Sequence, residues 1–139
     1  TYLRMSTRLE NSTPEDVDDY MLTVSGKSDI DKNCIRLDCV AEYHENEMIG
    51  HYSYNYMYAT ITNDTEQILY APAVCFALLD EDENIIYLTY DYLDSNQALL
   101  PDSSIIIRVR VDSDFIKYME ANNITPVALD AIAYCYTDK

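Results

Sequence analysis

Apolar and polar residues alternate with period two along most of the chain after residue 33, the pattern of strands that bury one face and wet the other. From Cys34 onward, Ile35, Leu37, Cys39 and Ala41 fall on one side and Arg36, Asp38 and Glu42 on the other. This predicts a half-buried strand over 34–43, closed by the polar segment HENE and Gly50. Residues 51–62 alternate again, setting Tyr52, Tyr54, Tyr56 and Tyr58 against Met57, Ala59 and Ile61, and NDTEQ follows as a polar turn. Residues 73–79 are apolar on both faces, which predicts a strand central to its sheet. The acidic stretch DEDEN then turns the chain into a return strand over 85–92.

Ile105, Ile107, Val109 and Val111, against Ile106, Arg108 and Arg110, predict the most amphipathic strand of the chain. Ser113 or Asp114 caps a helix of about two turns, FIKYMEANN, which lays Phe115, Ile116 and Met119 over one end of the strands. Pro126 follows it closely, and residues 127–136 resume the alternation as a last strand. Ahead of residue 34, Ser12 or Thr13 with Pro14 predicts a turn or two of helix, and residues 20–24 a strand.

Short strands spaced near a dozen residues apart, with polar turns and only minor helix, predict an all-β domain. The expected architecture is an immunoglobulin-like β-sandwich of six to seven strands with a short helix before the last strand. Residues 34–139 would form the sandwich and 1–33 an N-terminal extension packing on it, in one compact unit. No Trp occurs, so the buried-Trp hallmark of antibody domains is missing.

Composition narrows the function. A chain of 139 residues suffices for one core without metal or disulfide support. Its 25 acids against 9 bases give a net charge of −16, which disfavours nucleic acid and anionic membrane surfaces as partners. No apolar run reaches the length of a membrane span, so no insertion within this segment is expected. Beginning at Thr1, the chain reads as a processed or trimmed piece of a longer product. Cys34, Cys39, Cys75 and Cys135 lack a CxxC pair, which speaks against a zinc site. Cys34 and Cys39 point to opposite faces of one strand, whereas Cys75 and Cys135 could be bonded cross-strand neighbours or small buried hydrophobes.

With Gly26 and Gly50 the only glycines, neither a phosphate-cradling loop nor a nucleophile elbow can be built. His44 and His51 fall in a polar connection or at a strand edge, where a solvated or capping role is expected. Asp80, Asp82 and Asn84 place oxygen ligands at alternate positions with Asp91 at the twelfth, as in a calcium loop, yet Ile85 stands where that loop needs glycine. A solvated hairpin tip is the expected outcome, and no cofactor is expected. The sequons at Asn11, Asn63 and Asn123 read as turn chemistry. A small hydrolase would need a carboxylate pair such as Asp91 and Asp94, although loop carboxylates are ordinary in so acidic a chain. Tyr52, Tyr54, Tyr56 and Tyr58 are the most individual feature, because period two stacks four amphipathic rings on one strand face. They could contact a protein or glycan, or simply cover neighbouring strands or pack under the N-terminal segment.

The segment Phe76-Ala77-Leu78-Leu79-Asp80 resembles the FxLYD motif of immunoglobulin-like sandwich domains in bacterial envelope proteins and lipoproteins, with Leu79 in place of the motif's Tyr. ITNDT before it, DEDENII after it and LLPDSSIIIRV downstream are similar to the family's turn, hairpin and strand-entry segments, although Asp102 replaces a usual Gly. The resemblance spans residues 54–112. It implies an extracytoplasmic module of the bacterial envelope, or a secreted one, with no catalytic residues to carry over. The expected function is thus a non-catalytic binding or spacer module. The alternatives are self-association through edge strands or the Tyr face and, less favoured, a small hydrolase.

Overall fold

The computed structural model describes residues 32–94 and 96–138. The helix and the strand expected before residue 25, and the packing of the N-terminal extension, lie outside those residues. In chain order the elements are β1 (Lys32–Ile49), β2 (Tyr52–Asn63), β3 (Leu69–Tyr70), β4 (Ala73–Leu79), β5 (Ile85–Tyr92), β6 (Ala98–Leu99), β7 (Ser103–Arg110), α1 (Ser113–Asn122) and β8 (Ala128–Asp138). Six strands pair in the order β5-β4-β8-β1-β2-β7, all antiparallel, and β3 and β6 form a separate two-residue ladder.

β1 is shared between two layers. Lys32–Leu37 pair with β8, and Asp38–Ile49 pair with β2, so the strand leaves one sheet and enters the other at Leu37. One layer is β5-β4-β8 with the start of β1; the other is the rest of β1 with β2 and β7. Between them lies a single core that joins Met57, Ala59 and Ile61 of β2 and Ile107 of β7 to Val74, Phe76 and Leu78 of β4 and Ala133 and Cys135 of β8. This is the all-β sandwich that the alternation predicts, and β4 is central to its sheet, between β5 and β8. Leu69 and Leu99, each from a two-residue strand not expected from the sequence, close one end of the core and are fully or almost fully buried.

Three expectations are corrected. HENE is no connection, because β1 runs unbroken for 18 residues through it. Its register slips between His44, opposite Tyr56, and Glu47, opposite Tyr54, so that β1 carries one residue more than β2. This is a β-bulge, with Asn46 in the left-handed region at φ 55 and its N–H donating to Asn55 Oδ1 at 2.9 Å. A bulge interrupts period two without ending the strand, which is why the pattern broke there. β1 and β2 are then joined by the two residues Gly50 and His51, with Gly50 at φ 63 supplying the positive φ of a tight hairpin.

Second, the N-cap of α1 is Asp112 rather than Ser113 or Asp114: its Oδ1 accepts from Asp114 N at 2.7 Å and Phe115 N at 3.4 Å. The helix does cover the sandwich end as expected, with Met119 buried, Phe115 and Ile116 half-buried, and Phe115 stacked on Tyr87 of β5 at 4.6 Å between ring centroids. Third, of the two alternatives for Cys75 and Cys135, the bonded cross-strand pair is not realised, since they are not neighbours. Cys75 pairs with Ile132 on the outer side of β4, whereas Cys135 pairs with Ile35 on the core side of β8. All four cysteines are free thiols.

Candidate functional site

Strand β2 dictates its own orientation. Met57, Ala59 and Ile61 are fully buried and hold the inner row, so the four tyrosines of the alternate row must face outward from the second layer. Successive rings stand 6.3, 6.1 and 6.1 Å apart from Tyr52 to Tyr58, tilted or edge-on rather than coplanar. The flanking strands supply the rest of the face. On β7, Arg108 and Arg110 pair with Tyr58 and Tyr56 respectively. Their guanidinium groups lie diagonally over the next ring along, Arg108 over Tyr56 at 4.7 Å and Arg110 over Tyr54 at 5.1 Å. These are cation–π distances, and Arg108 is held as well by the hydroxyl of Tyr58.

On β1 the bulge matters. Before it the outward positions are even-numbered, Glu42 and His44, and after it odd-numbered, Glu47 and Ile49. That parity change brings Glu47 onto the Tyr face, where both carboxylate oxygens accept from the Tyr58 hydroxyl at 2.8 and 2.7 Å. The carboxylate so placed holds the Tyr58 phenol above its ordinary pKa, with Arg108 pulling the other way. His44 sits at 4.9 Å from the Tyr58 ring, its Nε2 3.2 Å from Glu42 Oε2 and its Nδ1 3.8 Å from Glu47 Oε2. The sequence reading placed His44 in a connection; it belongs to this cluster.

The four tyrosines therefore do not act alike. Tyr52 is 68% exposed, Tyr54 and Tyr58 are half-buried, and Tyr56 is only 8% exposed beneath Arg108. Neither arginine lies within ion-pair distance of a carboxylate among the described residues. Beside the turn-proximal end of the face, where α1 covers the sandwich end, lies a cleft of about 360 Å³ lined by Tyr54, Asn55, Arg110 and Lys117 and by the apolar Val111 and Ile116.

The acidic hairpin is built as a turn. Asp80 Oδ1 accepts from the backbone N–H of Asp82 at 3.0 Å and of Asn84 at 2.8 Å, and Oδ2 accepts from Asn84 Nδ2 at 3.2 Å. Those donors, led by the Asn84 N–H, lower the Asp80 pKa below the ordinary carboxyl value. Asp82 and Asn84 are exposed at the tip, and Asp91 lies on β5 opposite Val74, some ~20 Å further along the strand from Ile85. The structure does not bring Asp91 to the other three, and among the described residues no group of three His, Cys, Asp or Glu is placed to hold a metal ion. Asp91 Oδ1 accepts instead from its neighbour Tyr92 N at 2.9 Å.

A second aromatic patch escaped the sequence reading. On the outside of the other layer, Tyr90 and Tyr92 of β5 stack at 6.5 Å, and Tyr134 and Tyr136 of β8 meet edge-on at 5.6 Å. Tyr92 and Tyr134 both pair with Ala73, the small residue between them. Each strand carries only a Tyr-x-Tyr pair, and it takes the register of β4 to place the two pairs side by side. Among the described residues no helix is long and apolar enough to cross a membrane. Comparison of the chain with known protein families, with characterised proteins and with solved structures finds no match.

Proposed function

We propose that this chain is a non-catalytic, extracytoplasmic binding module that engages a protein or glycan through the outer face of β1, β2 and β7. One observation carries the reading: Tyr54 and Tyr56 serve as a table on which Arg110 and Arg108 lie exposed, neither within ion-pair distance of a carboxylate among the described residues, with Arg108 also held by the Tyr58 hydroxyl. Stacking restrains two long side chains in advance, so less rotamer entropy is lost when a ligand meets them. Placement in a bacterial envelope or secreted protein, and kinship with the FxLYD domains, belong to the same proposal. In support of that kinship, Phe76 and Leu78 sit in the core and Asp80 organises the hairpin tip, so the motif's residues do structural work here.

The test is binding of the purified chain to panels of surface glycans and envelope proteins, repeated with Tyr52→Ser and Arg108→Gln. Both positions are exposed, so the expected outcome is loss of binding with an unchanged melting temperature. Turnover of any substrate that disappears when one polar residue is replaced would overturn the reading. A second reading, self-association, draws on the edges: β5 and β7 each have a hydrogen-bonded neighbour on one side only among the described residues. Light scattering over a concentration series separates the two, since a strict monomer leaves only the first.

A further inference from the structure

The outer side of the layer β5-β4-β8 is buried at a point that the flanking strands do not enclose. Ala77 is 0% exposed, yet it stands outside the core cluster, because it alternates with the core residues Phe76 and Leu78 and so points away from them. Its cross-strand neighbours are the half-buried Leu88 and Asp130, which is exposed. Burial falls away from Ala77 along the strands: Cys75, Leu88 and Ile132 are half-buried, while Tyr90, Tyr92 and Tyr136 are exposed and form a rim. Loss of solvent also raises the pKa of the Cys75 thiol. The second layer packs against the inner side through the shared core, and α1 covers the end at Tyr87, so neither lies over Ala77. A sheet with one solvated face alternates apolar and polar residues, whereas β4 is apolar on both faces, the pattern of a strand covered twice.

We infer that this face is the docking site for the chain's own N-terminal segment, residues 1–31, which lies over Ala77, Leu88 and Ile132. The segment joins the sandwich in the right place, since Lys32 opens β1 opposite Asp138, at the margin of this same layer. Asp138 to Asp130, the partner of Ala77, is a run along β8, and Ala77 lies two strands from Lys32, a path of roughly 28 Å that about nine extended residues cover. Counting back from Lys32 by that length reaches the apolar run Tyr20-Met21-Leu22-Thr23-Val24, and a second apolar row, Leu3, Met5 and Leu9, is within reach beyond it. Burying those side chains against Ala77, Leu88 and Ile132 supplies the driving force. A tethered segment competes for the face at an effective concentration on the order of millimolar, whereas a second copy brings its own net charge of −16 to the contact. The covered layer is the one opposite the Tyr–Arg face, which leaves that face as the open side of the sandwich.

The test uses the full chain, isotope-labelled for NMR, together with timed alkylation of its thiols. Nuclear Overhauser contacts are expected between the Ala77 methyl and side chains of residues 1–31, and a sample mixed from labelled and unlabelled chains should show that they arise within one molecule. In the variant carrying both Leu3→Asp and Leu22→Asp those contacts should vanish and Cys75 should be alkylated about tenfold faster, with Cys135 still protected. Absence of the contacts from the native chain, or their presence only between molecules, overturns the inference. So does an unchanged Cys75 rate, or loss of protection at Cys135, which would place the segment in the core rather than over it. None of these outcomes touches the Tyr–Arg face, whose binding is read with Tyr52→Ser and Arg108→Gln.

Discussion

Asp80 shows how one carboxyl can fix a turn. It accepts two backbone N–H groups and one side-chain amide, while the chain passes through Glu83 at φ 62, a left-handed conformation that a β-carbon disfavours. These bonds favour the charged form, so the folded pKa lies below the unfolded one. The stabilisation is therefore complete above the ordinary carboxyl range near 3.8 and lost as pH falls through the lowered folded value. Carboxyl NMR titration is expected to find Asp80 titrating below that value, and in Asp80→Ala the amides of Asp82 and Asn84 should exchange faster at neutral pH. An unshifted Asp80 titration would contradict the turn's geometry. Asn63 plays a comparable part where the sequence offered only a sequon in a polar turn. It is fully buried, its Nδ2 donating to the carbonyls of Gln67 at 2.8 Å and Leu99 at 3.1 Å while its Oδ1 accepts from the backbone and hydroxyl of Thr65. Polarity signalled exposure, whereas a full set of partners made burial tolerable.

At the scale of elements, β4 and β5 were legible to the residue because the acidic turn and Pro-containing ends bound them sharply and the register slip between them falls only at their turn end, between Leu78 and Leu79, and β7 and β8 nearly so. β1 was not, since a bulge at Asn46 inverts the parity of everything after it. The same inversion delivers Glu47 to Tyr58, so the irregular part of the strand is the part that completes the candidate site. The cap of α1 was misplaced by one or two residues because Asp112, Ser113 and Asp114 are all competent caps, and which one holds the non-helical dihedrals depends on how β7 ends. Asp112→Ala is expected to cost about 1 kcal/mol in urea denaturation, with Ser113→Ala close to neutral. A larger effect at Ser113 would relocate the cap. Phe76→Ala, which empties the middle of β4, is expected to cost about 3–5 kcal/mol by the same measurement, whereas a change under 1 kcal/mol would mean that Phe76 is not in the core.

For the whole molecule, the shared strand β1 is what turns two three- and four-stranded layers into one body with one core. The thiols report on that arrangement. Cys34 is exposed, Cys39 and Cys75 are half-buried with pKa values raised chiefly by loss of solvent, and Cys135 is buried with its Sγ donating to the Tyr70 carbonyl at 3.0 Å. Alkylation of the native protein is expected to modify Cys34 first and Cys135 only on unfolding, because the thiolate is the reactive form and burial disfavours it. Peptide mapping without reductant should find no Cys75–Cys135 link, and finding one would refute the register of β4 on β8. By itself the sequence determined the all-β class, most strand positions, and that Tyr52 to Tyr58 share one face of β2, since alternation is a property of single extended segments. Only the tertiary structure decided that Arg108 and Arg110 roof that row, that Glu47 and His44 flank it, and that Cys75 and Cys135 are apart. Those relations depend on register between distant strands, which a bulge of one residue resets and local pattern does not encode.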